Sequence, residues 1–263
     1  MNTTNTIWKN QWLRLFAYLL AILGMTVSAS FFPVWGNAVF AVIAPLVVLI
    51  TVPMVRFERV KLTTLLVGRT LTLLTALYLF PDTWLLIIVA VLMYLNVAEA
   101  VLSDARKRRW ANVLAGVAVL ATTHLLFDAI WVAHSTSGTV VNIGYYVMTH
   151  PGMLYWVIAY TIWNFNFVIG EFSPAISLYH IAILATPAIV SALFGSVGIW
   201  VLARATSLTS GGTLQIVRKA SLESDLKSER FERAIKSMRG TSFQVAIAVL
   251  VLAFSVLSLL VES

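Results

Sequence analysis

Long apolar stretches separated by short polar ones dominate this chain of 263 residues. A helix of about 20 residues spans the ~30 Å hydrocarbon core of a bilayer, whereas transmembrane strands are about 10 residues long and alternate in polarity. The pattern predicts an all-α, polytopic transmembrane helical bundle of about seven to eight spans plus one interfacial amphipathic helix. The apolar segments lie at about residues 12–32, 35–55, 62–80, 84–103, 111–134, 153–171, 175–203 and 242–261.

The seventh segment is longer than one crossing requires, and prolines mark it. Pro187 lies near its middle and Ser173-Pro174 lies just before it. Proline removes a helical hydrogen bond and clashes with the preceding turn, so a bend or break is expected here. The chain then divides into a transmembrane bundle of residues 1–203, a polar stretch of residues 204–240 and a C-terminal transmembrane helix of residues 242–263.

The polar stretch of residues 204–240 holds eight basic and four acidic residues. Within it, residues 221–239 have the period of an amphipathic helix, with Phe231, Ala234, Ile235 and Met238 on one face. We predict an interfacial helix that lies on the membrane surface. The alternative is a docking site for a protein partner or a second copy of the chain.

Composition agrees with a lipid-facing surface. Hydrophobic residues make up 60% of the chain and charged residues 11%, whereas a soluble domain has roughly 25% charged residues. The net charge is +7, and nearly all the Lys and Arg lie in the loops that flank apolar segments, where such residues set topology and contact anionic lipid. Membrane lipid is therefore an expected partner and nucleic acid is not. The absence of cysteine excludes disulfides and thiolate chemistry.

Positive charge also predicts orientation. The basic loops at residues 56–61 and 103–109 are expected on the cytoplasmic side, and the N-terminus with Lys9 and Arg14 lies with them. Three simple spans after residue 109 would then carry residues 204–240 outside, against their own basic charge. We predict that this stretch is cytoplasmic, and that segment seven or its junction at Ser173-Pro174 is irregular.

Polar side chains inside the apolar segments are the candidates for function, because each charge at mid-membrane costs roughly 2.5–3.5 kcal/mol. Arg69 and Glu99 fall at similar predicted depths on adjacent segments, which predicts a buried ion pair between them. Depth groups them with other polar residues into a candidate pathway or polar cluster. It comprises Arg69, Asn96, Glu99, Asp104, Asn164, Asn166, Glu171 and His180. The alternative is a hydrogen-bond network that only holds helices together.

A second candidate cluster is formed by His124 and Asp128, which lie four residues apart on one helical face. Such a pair can orient a metal ligand or relay a proton. A zinc site needs three or four ligands, and His134 and His150 are the remaining candidates nearby. We expect no cofactor, with a metal at His124 and Asp128 as the alternative to a simple hydrogen-bonded pair.

These patterns favour a channel or carrier for a small ion or polar solute over an enzyme. One alternative is an intramembrane metal-dependent hydrolase that acts on lipid through His124 and Asp128. Another is a non-catalytic membrane subunit that binds partners through residues 204–240. The chain holds no Walker A, His-Glu-x-x-His or Gly-x-Ser-x-Gly motif.

Four short motifs resemble an uncharacterised family of bacterial multi-pass membrane proteins. They are RFERVK at residues 56–61, NVAEAVLSD at 96–104, IWNF at 162–165 and GIWVLARA at 198–205. The resemblance covers about two-thirds of the chain and implies a multi-pass protein of the bacterial inner membrane. It also implies that Asn96, Glu99, Asp104, Trp163 and Asn164 are motif positions. The polar stretch 206–240 departs from what the family leads us to expect.

Overall fold

The computed structural model describes residues 10–137 and 151–261, and these residues form helices and turns without a strand. Ten helices follow one another along the described chain. They are α1 (Gln11–Phe31), α2 (Pro33–Thr51), α3 (Arg56–Ala76), α4 (Asp82–Arg106), α5 (Trp110–Ser137), α6 (Pro151–Glu171), α7 (Pro174–Phe194), α8 (Ile199–Asp225), α9 (Glu229–Met238) and α10 (Thr241–Leu260).

Six of the described helices are long and apolar enough to cross a membrane, namely α1, α2, α4, α6, α7 and α10. They are consistent with an integral, multi-pass membrane protein. The predicted third and fifth spans fall on α3 and α5. Helix α3 is not among the six and carries charges at Arg56, Glu58, Arg59 and Lys61 in its first turns, whereas α5 contains the apolar helix Trp110–Leu125.

The chain folds into two compact units. Unit 1 takes its residues from Met1–Leu79, Phe172–Val190 and Val201–Lys236, and unit 2 takes them from Phe80–Glu171, Ser191–Trp200 and Ser237–Ser263. Unit 1 therefore contains α1 to α3 together with most of α7, α8 and α9. Unit 2 contains α4 to α6 and α10.

Unit 1 begins with a tight helical hairpin between α1 and α2. Gly36 lies directly against the α1 backbone, where an added Cβ would meet Ala29 Cα and N at 2.5 Å as well as the Ser28 carbonyl oxygen. The next seven residues, Asn37–Ile43, form a π-helical segment within α2. The close contact at Gly36 places Asn37 beside α1, and its amide Nδ2 donates to the Ala29 carbonyl oxygen at 3.3 Å.

Helices α7 and α8 run antiparallel within unit 1. Near the middle of α7, the Tyr179 hydroxyl donates to the Gly211 carbonyl oxygen at 2.7 Å, and Ile183 packs where a side chain on Gly211 would lie. Ile176, near the start of α7, shares a buried cluster with Leu222, near the end of α8. Tyr18 and Ile22 of α1 belong to the same cluster, so α1, α7 and α8 share a hydrophobic core.

The predicted seventh segment is interrupted, but not at Pro187. The chain leaves helical geometry at Phe172-Ser173, which agrees with the predicted irregular junction, and again between Phe194 and Ile199. Pro187 lies inside a continuous α7. The second break occurs where Gly195 adopts a φ of 60°, which favours glycine.

The predicted boundary at residue 203 therefore does not coincide with the end of an element, because α8 continues through it and first leaves helical geometry at a kink at Arg218, with φ of -114° and ψ of 21°. The predicted amphipathic helix at residues 221–239 is also divided. Its first turn belongs to α8, and α9 starts at Glu229. Phe231 and Ile235 are buried within unit 1, where Phe231 meets the Trp12 ring edge to face at 4.7 Å. These two residues are thus not part of an exposed docking face.

Unit 2 packs α10 against α5 and α6, and α4 against α5. Its interior is aromatic: Trp156, Tyr160 and Trp200 contact one another and Tyr160 also contacts Trp163, at ring-centroid distances of 5.2–5.8 Å. Gly116 lets α5 pack closely against α4, since a Cβ at this position would lie 2.5 Å from Val101 Cγ2. The rings contact each other directly, so this cluster is a packed core.

Candidate functional site

A buried polar face on α8 is the most distinctive feature of unit 1. Helix α8 turns a row of hydroxyl residues into the interior: Thr206, Ser207, Thr209, Ser210 and Thr213 are all buried. Most of these hydroxyls donate to carbonyl oxygens of their own helix, which satisfies them without a partner helix. The Ser210 hydroxyl instead reaches the Phe40 carbonyl oxygen at 3.4 Å, in the π-helical part of α2.

Arg69 of α3 completes this polar centre. Its side chain is only 4% exposed. The guanidinium Nη2 donates to Asn37 Oδ1 and to the Thr206 hydroxyl, the latter at 2.9 Å. Asn37 is fixed in turn, because its Nδ2 donates to the Pro33 carbonyl oxygen at 2.6 Å and to Ala29. The amide therefore presents its oxygen to Arg69.

The partners of Arg69 are electrically neutral. Asn37 and Thr206 accept hydrogen bonds without contributing negative charge, and Arg69 Nε is buried with no hydrogen-bond partner among the described residues. Burying a charge is costly unless it is paired, because the protein interior does not fully compensate for the hydration that the charge loses. Glu99, the predicted counter-charge, belongs to unit 2 and is exposed on α4. Its pairing with Arg69 stays a prediction.

Arg69 also lies deeper than expected. The apolar pattern places residues 56–61 in a loop and begins the third segment at about residue 62, only seven residues before Arg69. The helix in fact begins at Arg56, so Arg69 is 13 residues in, or about 20 Å from the start of α3. Its partner Asn37 lies one turn after the start of α2 at Pro33. Arg69 is therefore near the end of unit 1 where α1 joins α2.

The opposite end of unit 1 brings three chain regions together. Arg14 forms an ion pair with Asp225 at 2.8 Å, and Gln11 donates to the Lys227 carbonyl oxygen at 3.2 Å. Lys219 pairs with Glu58 at 2.8 Å, and this hydrogen bond raises the pKa of Lys219. The starts of α1 and α3 and the end of α8 therefore share one end of the unit.

His180 has different neighbours from Arg69. Its ring stacks on Phe172 at a centroid distance of 4.2 Å, and its side chain hydrogen-bonds Gln215. His180 Nε2 is buried without a hydrogen-bond partner among the described residues. Because Gln215 and Thr206 are nine residues apart on α8, the two candidate residues contact separate parts of that helix.

In unit 2 the structure joins three of the predicted cluster residues. Asp104 is fully buried; its carboxylate accepts from Arg109 Nη1 at 2.8 Å and from Asn112 Nδ2. Asn166 Nδ2 donates to Asn112 Oδ1 at 3.0 Å. Glu171 pairs with Lys107 at 2.6 Å and with Arg109 at 3.5 Å. This network joins the end of α4, the start of α5 and the end of α6.

The remaining members of the predicted cluster in unit 2 lie elsewhere on α4 and α6. Asn164 is buried, and its Nδ2 donates to the Tyr160 hydroxyl at 3.2 Å. Asn96 is partly buried on α4, one turn before the exposed Glu99. The eight predicted residues thus do not form a single described contact network.

The second predicted cluster does not gather ligands in the part of the chain that the structure describes. His124 and Asp128 are both exposed, and His124 Nδ1 lies 2.9 Å from the Ala121 carbonyl oxygen. No group of three or more metal-ligating side chains occurs within the described residues. His134 and His150 lie outside the described side chains, so the expectation of no cofactor and the alternative of a metal here both stay predictions.

Four residues that define these sites were not among those predicted from the sequence. Asn37 and Thr206 hold Arg69, and Asn112 and Arg109 hold Asp104. The only available signals were weak: an asparagine after glycine inside an apolar segment, and a polar run directly after residue 203.

The chain matches no family model, no curated protein and no solved structure.

Proposed function

We propose that this integral membrane protein is a channel or carrier for a small ion or polar solute, and that its solute site lies in unit 1. The observation that carries the proposal is the buried polar centre of Arg69, Asn37 and the hydroxyl face of α8. Ionisable residues inside membrane proteins are costly and are retained mainly where they serve a pathway or a bound ligand.

Irregular backbone supports the same assignment. The π-helical segment Asn37–Ile43 supplies Asn37 to the polar centre, and π-segments inside helices are frequent at functional sites. The breaks at each end of α7 flank the helix that packs against α8. Non-helical backbone at membrane depth is tolerated where protein or a watery cavity surrounds it.

Flux measurements in liposomes test this function. Purified protein reconstituted into liposomes should increase the rate of osmotic swelling in small salts and polar solutes above that of protein-free liposomes. Arg69→Met should remove most of that increase, because it deletes the charge at the centre of the site. Lys219→Met, at an exposed ion pair of the same unit, is the matched control and should retain it. Swelling no faster than in empty liposomes for every solute would reject the function.

We also propose a bacterial inner-membrane location with a cytoplasmic N-terminus, and a cytoplasmic side for the end of α8. The ion pairs Arg14–Asp225 and Lys219–Glu58 support a shared side for these three basic regions. Positive charge on one side is the usual mark of the cytoplasmic face.

Single-cysteine labelling tests the orientation, since the native chain has no cysteine. Ser224→Cys places a thiol at an exposed position near the end of α8. An impermeant maleimide should not label this variant in intact cells and should label it after the membrane is opened. Labelling in intact cells would place the end of α8 outside. Ser224→Ala, which holds no thiol, controls for non-specific reaction.

A further inference from the structure

We propose that the solute of the unit 1 site is a small monovalent anion, bound by the Arg69 guanidinium. This inference rests on the proposed function, because it names the solute class for the same site. It starts from an imbalance of charge. Arg69 is only 4% exposed, yet the two groups that accept its hydrogen bonds, Asn37 and Thr206, are neutral.

The hydrogen bonds of Arg69 fix the orientation of its guanidinium, but they leave one of its N–H donors without an acceptor. Nη2 is engaged by the two neutral acceptors, so the planar fork has a defined orientation. Nε carries a further N–H that is buried without an acceptor among the described residues. An anion at Nε would supply both the missing acceptor and the missing negative charge, and charge-assisted bonds of this kind are about twice as strong as neutral ones.

A second donor without an acceptor lies on the neighbouring helix. Thr26 of α1 is fully buried, and its hydroxyl has no hydrogen-bond partner among the described residues. Most buried helical threonines here, such as Thr72 and Thr186, donate to the carbonyl oxygen four residues earlier. Thr26 lies one turn before Ala29, whose carbonyl oxygen receives the Asn37 amide. It therefore lies on the face of α1 that meets Asn37, the residue that accepts a hydrogen bond from Arg69.

The site also favours a small anion of single charge. One guanidinium balances one negative charge, and a divalent anion would leave an uncompensated charge in a low-dielectric surrounding. The location near the junction of α1 and α2 puts the site within about two helical turns of one end of unit 1, which shortens the path from water. Nitrate and halides meet these requirements, whereas sulfate and gluconate do not.

Thermal unfolding of purified protein in detergent tests the inference without requiring transport. At constant ionic strength, exchanging gluconate for nitrate or bromide should raise the Tm of the native protein with a saturable dependence on concentration, because a ligand that binds only the folded state stabilises it. Arg69→Met should abolish this dependence. Arg69→Lys keeps the positive charge but lacks the planar set of guanidinium donors, so it should weaken the apparent affinity for nitrate or bromide by about tenfold. Thr186→Val, on α7 and outside the polar centre, removes a buried hydroxyl that donates to the Ala182 carbonyl oxygen of its own helix, and it should respond like the native protein.

Several outcomes would overturn the assignment. An equal response in the native protein and in Arg69→Met would place the anion elsewhere, and no response in the native protein would mean that no anion binds. A response that appears only in Glu99→Gln would identify Glu99 as the counter-charge of Arg69. Arg69→Lys keeps the test decisive if Arg69→Met does not fold. Anion-dependent stability without liposome flux would reject the proposed function alone, and cation-selective flux without anion-dependent stability would reject this inference alone.

Discussion

Replacing Asp104 with leucine is expected to destabilise the protein by about 3 kcal/mol, which is the scale for removing one member of a buried ion pair. The Asp104 carboxylate is fully buried and accepts hydrogen bonds from Arg109 and Asn112. Without it, Asn112 loses an acceptor that water cannot replace. Arg109 keeps a weaker contact with Glu171 at 3.5 Å, so the loss should not reach the upper end of the range. Chemical unfolding in detergent micelles would measure it.

The matched control for Asp104 is the exposed ion pair of Glu58 and Lys219. Glu58→Gln should cost no more than about 1 kcal/mol, because side chains in water gain little from pairing. The double variant Asp104→Leu with Arg109→Met should be milder than Asp104→Leu alone, since it removes both charges. Equal losses for Asp104→Leu and Glu58→Gln would contradict the view that the unit 2 network stabilises the junction of α4, α5 and α6.

Gly36→Ala is expected to cost about 3 kcal/mol, at the upper end for overpacking. The added Cβ would lie 2.5 Å from Ala29 Cα and N, and these are backbone atoms that cannot rotate away. The hairpin of α1 and α2 would have to separate, which would also displace Asn37 from Arg69. We therefore expect a lower Tm together with a weaker response to nitrate.

Gly24→Ala provides the control for Gly36→Ala on the same hairpin. No atom lies within 4 Å of a Cβ added at Gly24, and alanine is favoured over glycine in a helix by about 1 kcal/mol. This variant should be neutral or slightly more stable in the same unfolding measurement. A Gly36→Ala protein as stable as Gly24→Ala would show that α1 and α2 do not approach as closely as described.

Helical class and the apolar helices could be predicted because lipid burial leaves long, continuous apolar runs. The junction at Ser173-Pro174 could also be predicted, since proline disrupts a helix through local chemistry alone. The second break could not be located in the same way. Pro187 is accommodated inside α7, whereas the chain turns at Gly195, which has a left-handed φ of 60°. Most glycines do not mark such a turn, so the presence of Gly195 did not identify it.

The polar centre was harder to predict because it depends on which helix faces are buried. Thr206 and its neighbours follow residue 203 in a polar run, which is typical of a solvated stretch, and only packing shows that α8 turns them inward. Charges at Arg56 and Lys61 suggested a loop, but they occupy the first turns of α3. Asn37 carried almost no signal, since one amide in an apolar segment does not reveal its partner.

The network around Asp104 shows the same limit at a turn. Arg108 has a φ of 57°, and the turn it makes brings the Arg109 amide to the Asp104 carbonyl oxygen at 2.9 Å. The Arg109 side chain then returns to the Asp104 carboxylate. A run of four basic residues predicts the membrane side well, but it does not show which of them turns back toward the helix end.

An anomalous-scattering map from crystals of the native protein grown in bromide tests the anion site directly. We expect an ordered bromide within hydrogen-bond distance of Arg69 Nε, with the Thr26 hydroxyl beside it, and we expect its loss in Arg69→Met crystals. Bromide found only at exposed surfaces, or the Glu99 carboxylate bonded to the Arg69 guanidinium, would contradict this expectation.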